Sequence, residues 1–472
     1  MTCKPAKNPA FLWKGVVSLP LIIFILVPGS ETQSNQIAAT AHEPCKIQST
    51  IYEGWPAQQL SNQWLKLIIV PQLGGRVMQV TFAGHPYLFV NPQLKGKHFP
   101  PLTPADKPTW YNYGGDKIWP MPEGTQDDQH WPGPISDALD DGDYAFRILS
   151  QDSNCSVRLE GPPEPKTGLQ YTRDINIDSD SPQISFHAVM KNISTPDIRW
   201  SVQSVTQYDT ADPQNPKDFN RDFWAFAPVH PQSAYLDGFH VRSGLADDPS
   251  FAVKNKLFTL HWLYLQNEVW LDSPVGWLAV VDAHTGFAMV ERFSFQKNAE
   301  YPGKATVIFY KNGPSLEVNK DGIPFINASS QEDRLHYMEA EINSPIVKLK
   351  PAETYSFDTR WSPTRTEKEF STVRDAGIIE AELSASRKPQ SIVLTGKFGV
   401  FVPCNLVALF YDRNNSPTRN ISLQAADPAK VVDLHQEVAI INSDARISIH
   451  VIDEKNVDRG ALGEIAIPQA DH

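Results

Sequence analysis

Beyond about residue 50 the chain alternates apolar and polar positions with a period of two. Met78, Val80 and Phe82 share one side of a segment whose other side carries Val77, Gln79 and Thr81. Ile184, Phe186, Ala188 and Met190 alternate with Ser185, His187 and Val189, and Tyr355, Phe357, Thr359 and Trp361 alternate with Ser356, Asp358 and Arg360. Successive side chains of a strand point to opposite faces, so each segment predicts a half-buried β-strand. Gly74-Gly75, Gly84, Ser181-Pro182 and Lys350-Pro351 supply turns between such segments. No long segment carries a 3.6-residue stripe. The pattern therefore predicts an all-β protein built as a large antiparallel sandwich.

A polar stretch from Ser362 to about Glu380 interrupts the alternation, which resumes at Val400 to Leu409 and at Ile447, Ile449 and Val451. The expected division is a large β unit over 42–365, then a linker and a small C-terminal β-sandwich over 366–472. At the other end, Lys4, Lys7 and Lys14 precede an apolar run from Val16 to Val27 and then Pro28-Gly29-Ser30. This is the layout of a secretory signal peptide, so 1–41 is expected to be a signal and a processed or flexible N-terminus. Cleavage is placed after Ala41 or near Ser30. The run is shorter than the roughly 18 to 20 residues of a membrane span, so no stable transmembrane anchor is expected after cleavage. The protein is expected to be exported, either periplasmic or secreted.

Charge narrows the ligand class. The formal net charge is −12, and no Lys/Arg cluster interleaved with aromatics occurs, which argues against nucleic acid as a partner. An uncharged ligand such as a carbohydrate suits this balance better. Once Cys3 leaves with the signal, Cys45, Cys155 and Cys404 remain. One disulfide can form in an oxidising compartment, and sequence does not choose the pair. There is no Gly-x-Gly-x-x-Gly, phosphate loop, Gly-x-Ser-x-Gly elbow or His-Glu-x-x-His pair, so neither a metal nor an organic cofactor is expected. Asp127-Asp128 and Asp140-Asp141 lack calcium-loop spacing and read as solvated turns.

Two segments carry candidate chemistry. Trp110-Tyr111-Asn112-Tyr113-Gly114-Gly115-Asp116-Lys117-Ile118-Trp119-Pro120-Met121-Pro122-Glu123, followed by His130-Trp131-Pro132, sets aromatic faces beside amide, carboxylate and ammonium groups. Sugars present apolar C–H faces and many hydroxyls, so a sugar site needs such a platform with directed hydrogen-bonding groups. Asn112, Tyr113, Asp116, Trp119 and Glu123 are the binding candidates here. In Tyr337 to Pro351, Glu339 and Glu341 share one face of a strand. Trp270 is either a stacking platform or a core residue.

Four stretches together resemble the galactose-mutarotase-like superfamily of aldose epimerases and noncatalytic relatives, in particular its exported branch with a small C-terminal β domain. They are Pro71 to Val77 with Gly84 to Leu88, the Gly-Gly-Asp-Lys-Ile-Trp-Pro stretch, Val189 to Ser194 leading to Trp200, and Tyr337 to Trp361. The resemblance implies a large supersandwich followed by the small sandwich. It also implies paired acid and base catalysis, in which a glutamate takes a proton from the anomeric hydroxyl while a histidine protonates the ring oxygen. The glutamate falls on Glu339. The histidine segment instead reads Arg199 to Tyr208, where Gln203 and Gln207 form hydrogen bonds but exchange no protons. Lys117 and His130 are the remaining acid candidates, and Arg76 either holds a ligand group or pairs with an acid beside its turn. The expected function is carbohydrate binding outside the cytoplasm without standard mutarotase activity. The alternatives are a carbohydrate epimerase or uronate lyase-like enzyme using Glu339 as base, and a noncatalytic envelope interaction protein.

Overall fold

The computed structural model describes residues 43–103, 106–107, 109–124, 130–133, 135–245, 248–327, 334–367 and 369–468. The signal-peptide expectation for 1–41 lies outside them, as do Asp127 and Asp128. Among the described residues, regular structure is β-strand apart from one 3-10 turn at Pro302–Lys304. No described helix is long and apolar enough to cross a membrane.

The alternating segments assemble into two large antiparallel sheets. One has twelve strands, and its middle runs Arg76–Phe82, Asp116–Met121, Ile198–Asp209, Tyr337–Asn343, Val307–Lys311, Asn267–Leu271, His240–Ser243. The other has ten, centred on Phe287–Phe293, Thr354–Arg365, Ile184–Asn192 and Leu169–Asp178. Ile184–Asn192 pairs with Thr354–Arg365 so that Phe186 faces Thr359 and Ala188 faces Phe357. Phe186, Ala188, Met190, Phe357 and Trp361 are all buried, as the alternation predicts. They meet Ile118, Val202 and Ile342 of the twelve-stranded sheet in one apolar cluster. Each such aliphatic side chain, fully removed from water, contributes about 1.5–3 kcal/mol.

One alternation breaks. Ile68 pairs with Gln79 and Ile69 with Val77, so Met78 is bulged out of register. Val77 then joins Val80 and Phe82 in the main core, while Met78 packs with Trp55, Leu73 and Tyr113 in a separate cluster. The expected faces of this strand are thus exchanged at Val77 and Met78.

A disulfide joins Cys45 to Cys155, with Cα atoms 5.8 Å apart and a sequence separation of 110. Cys45 immediately precedes the Lys46–Tyr52 strand of the twelve-stranded sheet, and Cys155 lies in the Asn154–Glu160 strand of the other. The bond therefore crosslinks the two layers. Cys404 is free and buried.

The last strand of the large sandwich ends at Arg365, and the next strand begins at Thr372. From there two four-stranded sheets enclose their own core, which includes Leu394, Phe398, Leu406, Phe410 and Ile449. Phe370, Val373, Ile378 and Phe401 pack with Trp277, Val290 and Phe226 of the ten-stranded sheet in a further apolar cluster. This attachment is on the layer opposite the cleft described next.

Candidate functional site

Strand register decides which polar groups share a face. Residues directly opposite in an antiparallel pair project to the same side. In the Ile198–Asp209 strand, Val205 lies opposite both Lys117 and Glu341, Gln203 opposite Trp119 and Asn343, and Gln207 opposite Glu339. Glu341 in turn lies opposite Ile308 and Glu339 opposite Tyr310, which are opposite Trp270 and Glu268 respectively. One face of five adjacent strands is therefore lined with glutamates, glutamines and aromatic rings. The alternate residues Asp116, Ile118, Ser204, Thr206, Met338 and Ala340 turn toward the sandwich interior.

The polar face forms the floor of a cavity of about 360 Å³. Glu339 and Glu341 are 8% and 7% exposed. Gln207 Nε2 donates to Glu339 Oε1 at 2.5 Å, and Gln203 Nε2 donates to Glu341 Oε2. The second oxygen of each carboxylate receives no hydrogen bond among the described residues. Glu268 accepts from the Trp270 indole at 2.5 Å, and Arg242 places its guanidinium 5.9 Å from the Trp270 ring centre. Glu123 stands at the rim with a solvent-exposed edge.

These carboxyls repel one another where water is scarce. Burial, then Glu339, Glu268 and Glu123, hold the Glu341 carboxyl well above the usual range. Glu268 is raised by burial against the opposing effect of Trp270 and Arg242. The walls around Glu123, then Glu268 and Glu339, push its carboxyl up to about 8, with Arg242 acting the other way. Lys117 lies behind the aromatic wall. Its ammonium is 5.4 Å from the Trp110 ring centre and 4.2 Å from that of Trp119, and it donates no hydrogen bond. Burial, then Arg76, lowers its pKa, with Glu339 among the groups acting the other way.

Asp140 fixes the aromatic wall. It accepts from the Trp119 indole at 2.8 Å, the Trp110 indole at 3.0 Å and Arg76 at 2.6 Å. Asp140 and Asp141 are fully buried, which corrects their expected place in a solvated turn. Burial and the neighbouring Asp140 push Asp141 up to about 7.

Of the residues singled out in the sequence, Trp119, Glu123, Gln203, Trp270 and Glu339 line this one cavity. Gln207 stands behind Glu339 and Lys117 behind Trp119. Four others are corrected. Asp116 projects to the opposite face and pairs with Arg173 at 2.5 Å inside the sandwich. Arg76 is fully buried, paired with Asp140 and donating to the Gly114 carbonyl at 3.1 Å, so it takes the structural alternative. Tyr113 is buried and accepts from the Phe99 amide at 3.1 Å, and Asn112 caps its own turn by accepting from the Gly114 amide at 3.2 Å. His130 lines a neighbouring cavity of about 600 Å³ with Trp200 and Arg199, and Pro122 borders both cavities. It is not among the groups facing Glu339.

Sequence inspection missed Arg242, Tyr310 and Asp140. Glu268 was legible in principle, because it shares a strand face with Trp270 two residues later.

No family model matches the chain, and no curated protein matches it. Among solved structures, a galactose mutarotase-like protein from Clostridium acetobutylicum is similar at 10% identity, covering 68% of this chain and 99% of that one, with a TM-score of 0.43. A galactose mutarotase-like protein from Lactobacillus casei is similar at 10% identity over 65% and 99%, with a TM-score of 0.41. A TPR-domain containing protein from Parabacteroides distasonis is similar at 14% identity and a TM-score of 0.43. The match covers 68% of this chain and only 54% of that one. At such scores no residue role passes from those proteins to this chain.

Proposed function

We propose that the cavity above Glu339 is a carbohydrate-binding site of a protein that acts outside the cytoplasm, and that it does not run standard mutarotase chemistry. The observation that carries this is the joint presence, in one cavity, of aromatic walls and of carboxyl groups that each have one oxygen held by a glutamine and the other open. Sugar C–H faces complement rings such as Trp119 and Trp270, and sugar hydroxyls supply the missing donors. The sequence resemblance to galactose-mutarotase-like proteins supports the same ligand class.

Mutarotation needs a base at one oxygen and an acid at the other. Glu339 suits the base, but Gln203 and Gln207 occupy the strand where the resemblance calls for a histidine. Their amides are engaged in holding Glu341 and Glu339, a role in orientation and not in proton transfer. Export is supported by the Cys45–Cys155 bond, since structural disulfides persist in oxidising compartments.

The epimerase alternative is favoured by one feature. Glu341, its carboxyl held well above the usual range, stands beside Glu339 as an acid candidate that requires neither His130 nor Lys117. A glycan array on the mature protein, followed by NMR of anomer exchange for each hit, separates the two. Binding without exchange is expected. Exchange that disappears in Glu339→Gln establishes the enzyme instead, and the absence of any glycan hit rejects the site.

A further inference from the structure

The cavity is unusually rich in acceptors. Four of its lining residues are Glu123, Glu268, Glu339 and Glu341, and Arg242 is the cationic residue lining it among the described residues. Lys117 balances part of this charge from behind Trp119, but it sits 2% exposed under the ring and does not line the space. The two glutamine amides that reach the floor already donate to Glu341 and Glu339. That leaves one oxygen of each carboxyl without a donor among the described residues, on two side chains that line the cavity and are more than nine-tenths buried.

A neutral sugar would meet these oxygens with hydroxyl donors but leave the crowded carboxyls without a counter-charge. An ammonium group supplies three donors and a compensating charge, and the surrounding rings of Trp270, Tyr310 and Tyr337 present π faces that favour a cation. We infer that the cleft takes a glycan bearing free ammonium groups, its unit a hexosamine whose nitrogen sits among Glu268, Glu339 and Glu341. The inference rests on the cleft being a carbohydrate site and adds the ligand's charge to it.

Three β-1,4-linked tetrasaccharides of equal length test it by calorimetry on the full-length mature protein: the glucosamine tetramer, its fully N-acetylated form and the glucose tetramer. The glucosamine tetramer is expected to bind at least about tenfold more tightly than either neutral one, the scale of a charge-assisted hydrogen bond. The preference should shrink several-fold in Glu268→Gln and in Glu339→Gln, each of which replaces a carboxyl by an amide of the same shape.

Equal or tighter binding of the neutral tetramers overturns the inference and leaves the carbohydrate site standing. No binding by any of the three overturns both. A preference for the amine that neither variant weakens places it in general attraction to an acidic chain and also overturns the assignment. The two variants draw on different strands, so misfolding of one leaves the other to decide.

Discussion

The two faces of the Asp116–Met121 and Ile198–Asp209 strands hold buried charge in opposite ways. On the inner face, Asp116 meets Arg173 at 2.5 Å and accepts from Thr206 at 3.2 Å. Glu291 nearby accepts from the Tyr208 hydroxyl at 2.6 Å. One residue along, on the outer face, Lys117 donates to nothing among the described residues, and Glu339 and Glu341 each keep an oxygen without a donor among them. The chain pairs its carboxylates where they are sealed between sheets and leaves them open where a cavity adjoins. Burial alone does not separate structural from functional charge here, since both sets are nearly inaccessible. The kind of partner does: Asp116 faces a guanidinium, whereas Glu339 and Glu341 are held by glutamine amides.

The largest expected effect breaks the inner set. Arg173→Met leaves Asp116 buried without its partner and should cost about 3–5 kcal/mol of unfolding free energy in urea denaturation. Glu339→Gln on the outer face should cost less than about 1 kcal/mol by the same measurement, because it removes a charge from a repelling group. Equal losses would erase the distinction between the faces.

The covalent tie between the layers comes next. Cys155→Ser should lower stability by about 2–5 kcal/mol, since a crosslink across so long a loop restricts the unfolded chain. Its loss should be matched by chemical reduction of the wild type.

A smaller effect concerns pH. Glu341 is held well above the carboxylate range, and Glu291 is pushed up to about 8 by burial. Both bind a proton more tightly folded than unfolded. Their contribution is therefore fully present below the unfolded value of about 4.5 and is lost as pH rises through the folded values. Thermal unfolding midpoints should fall between pH 5 and 8 from these two groups, and Glu341→Gln should flatten part of that slope. A slope unchanged in Glu341→Gln would show that its proton is not held as described.

The smallest effect is at His130. Since it lines the neighbouring cavity, His130→Ala should change glycan affinity by less than about twofold, whereas a large loss would join the two cavities into one site.

Much of the fold was legible because alternation reports directly on burial: Phe186, Ala188, Met190 and Trp361 are inside as their spacing demands. Alternation failed at Met78, where a bulge shifts register, and no local signal in Val77 to Phe82 announces it. The site was half legible. Trp119, Glu123, Trp270 and Glu339 converge, but Asp116 and Lys117 were both assigned to the cleft although adjacent strand residues point to opposite faces. Arg76 and Asp140 are 64 residues apart in sequence, and a buried partner at that distance leaves no trace in local pattern. The same holds for the choice of Cys155 as the partner of Cys45.

Saturation-transfer NMR with a bound glycan, comparing the wild type with Trp270→Ala, tests the central claim most directly. The cavity above Glu339 as the binding site predicts strong transfer to the sugar C–H protons in the wild type and loss of most of it in the variant. Undiminished transfer in a folded Trp270→Ala protein would place the glycan elsewhere and contradict the assignment.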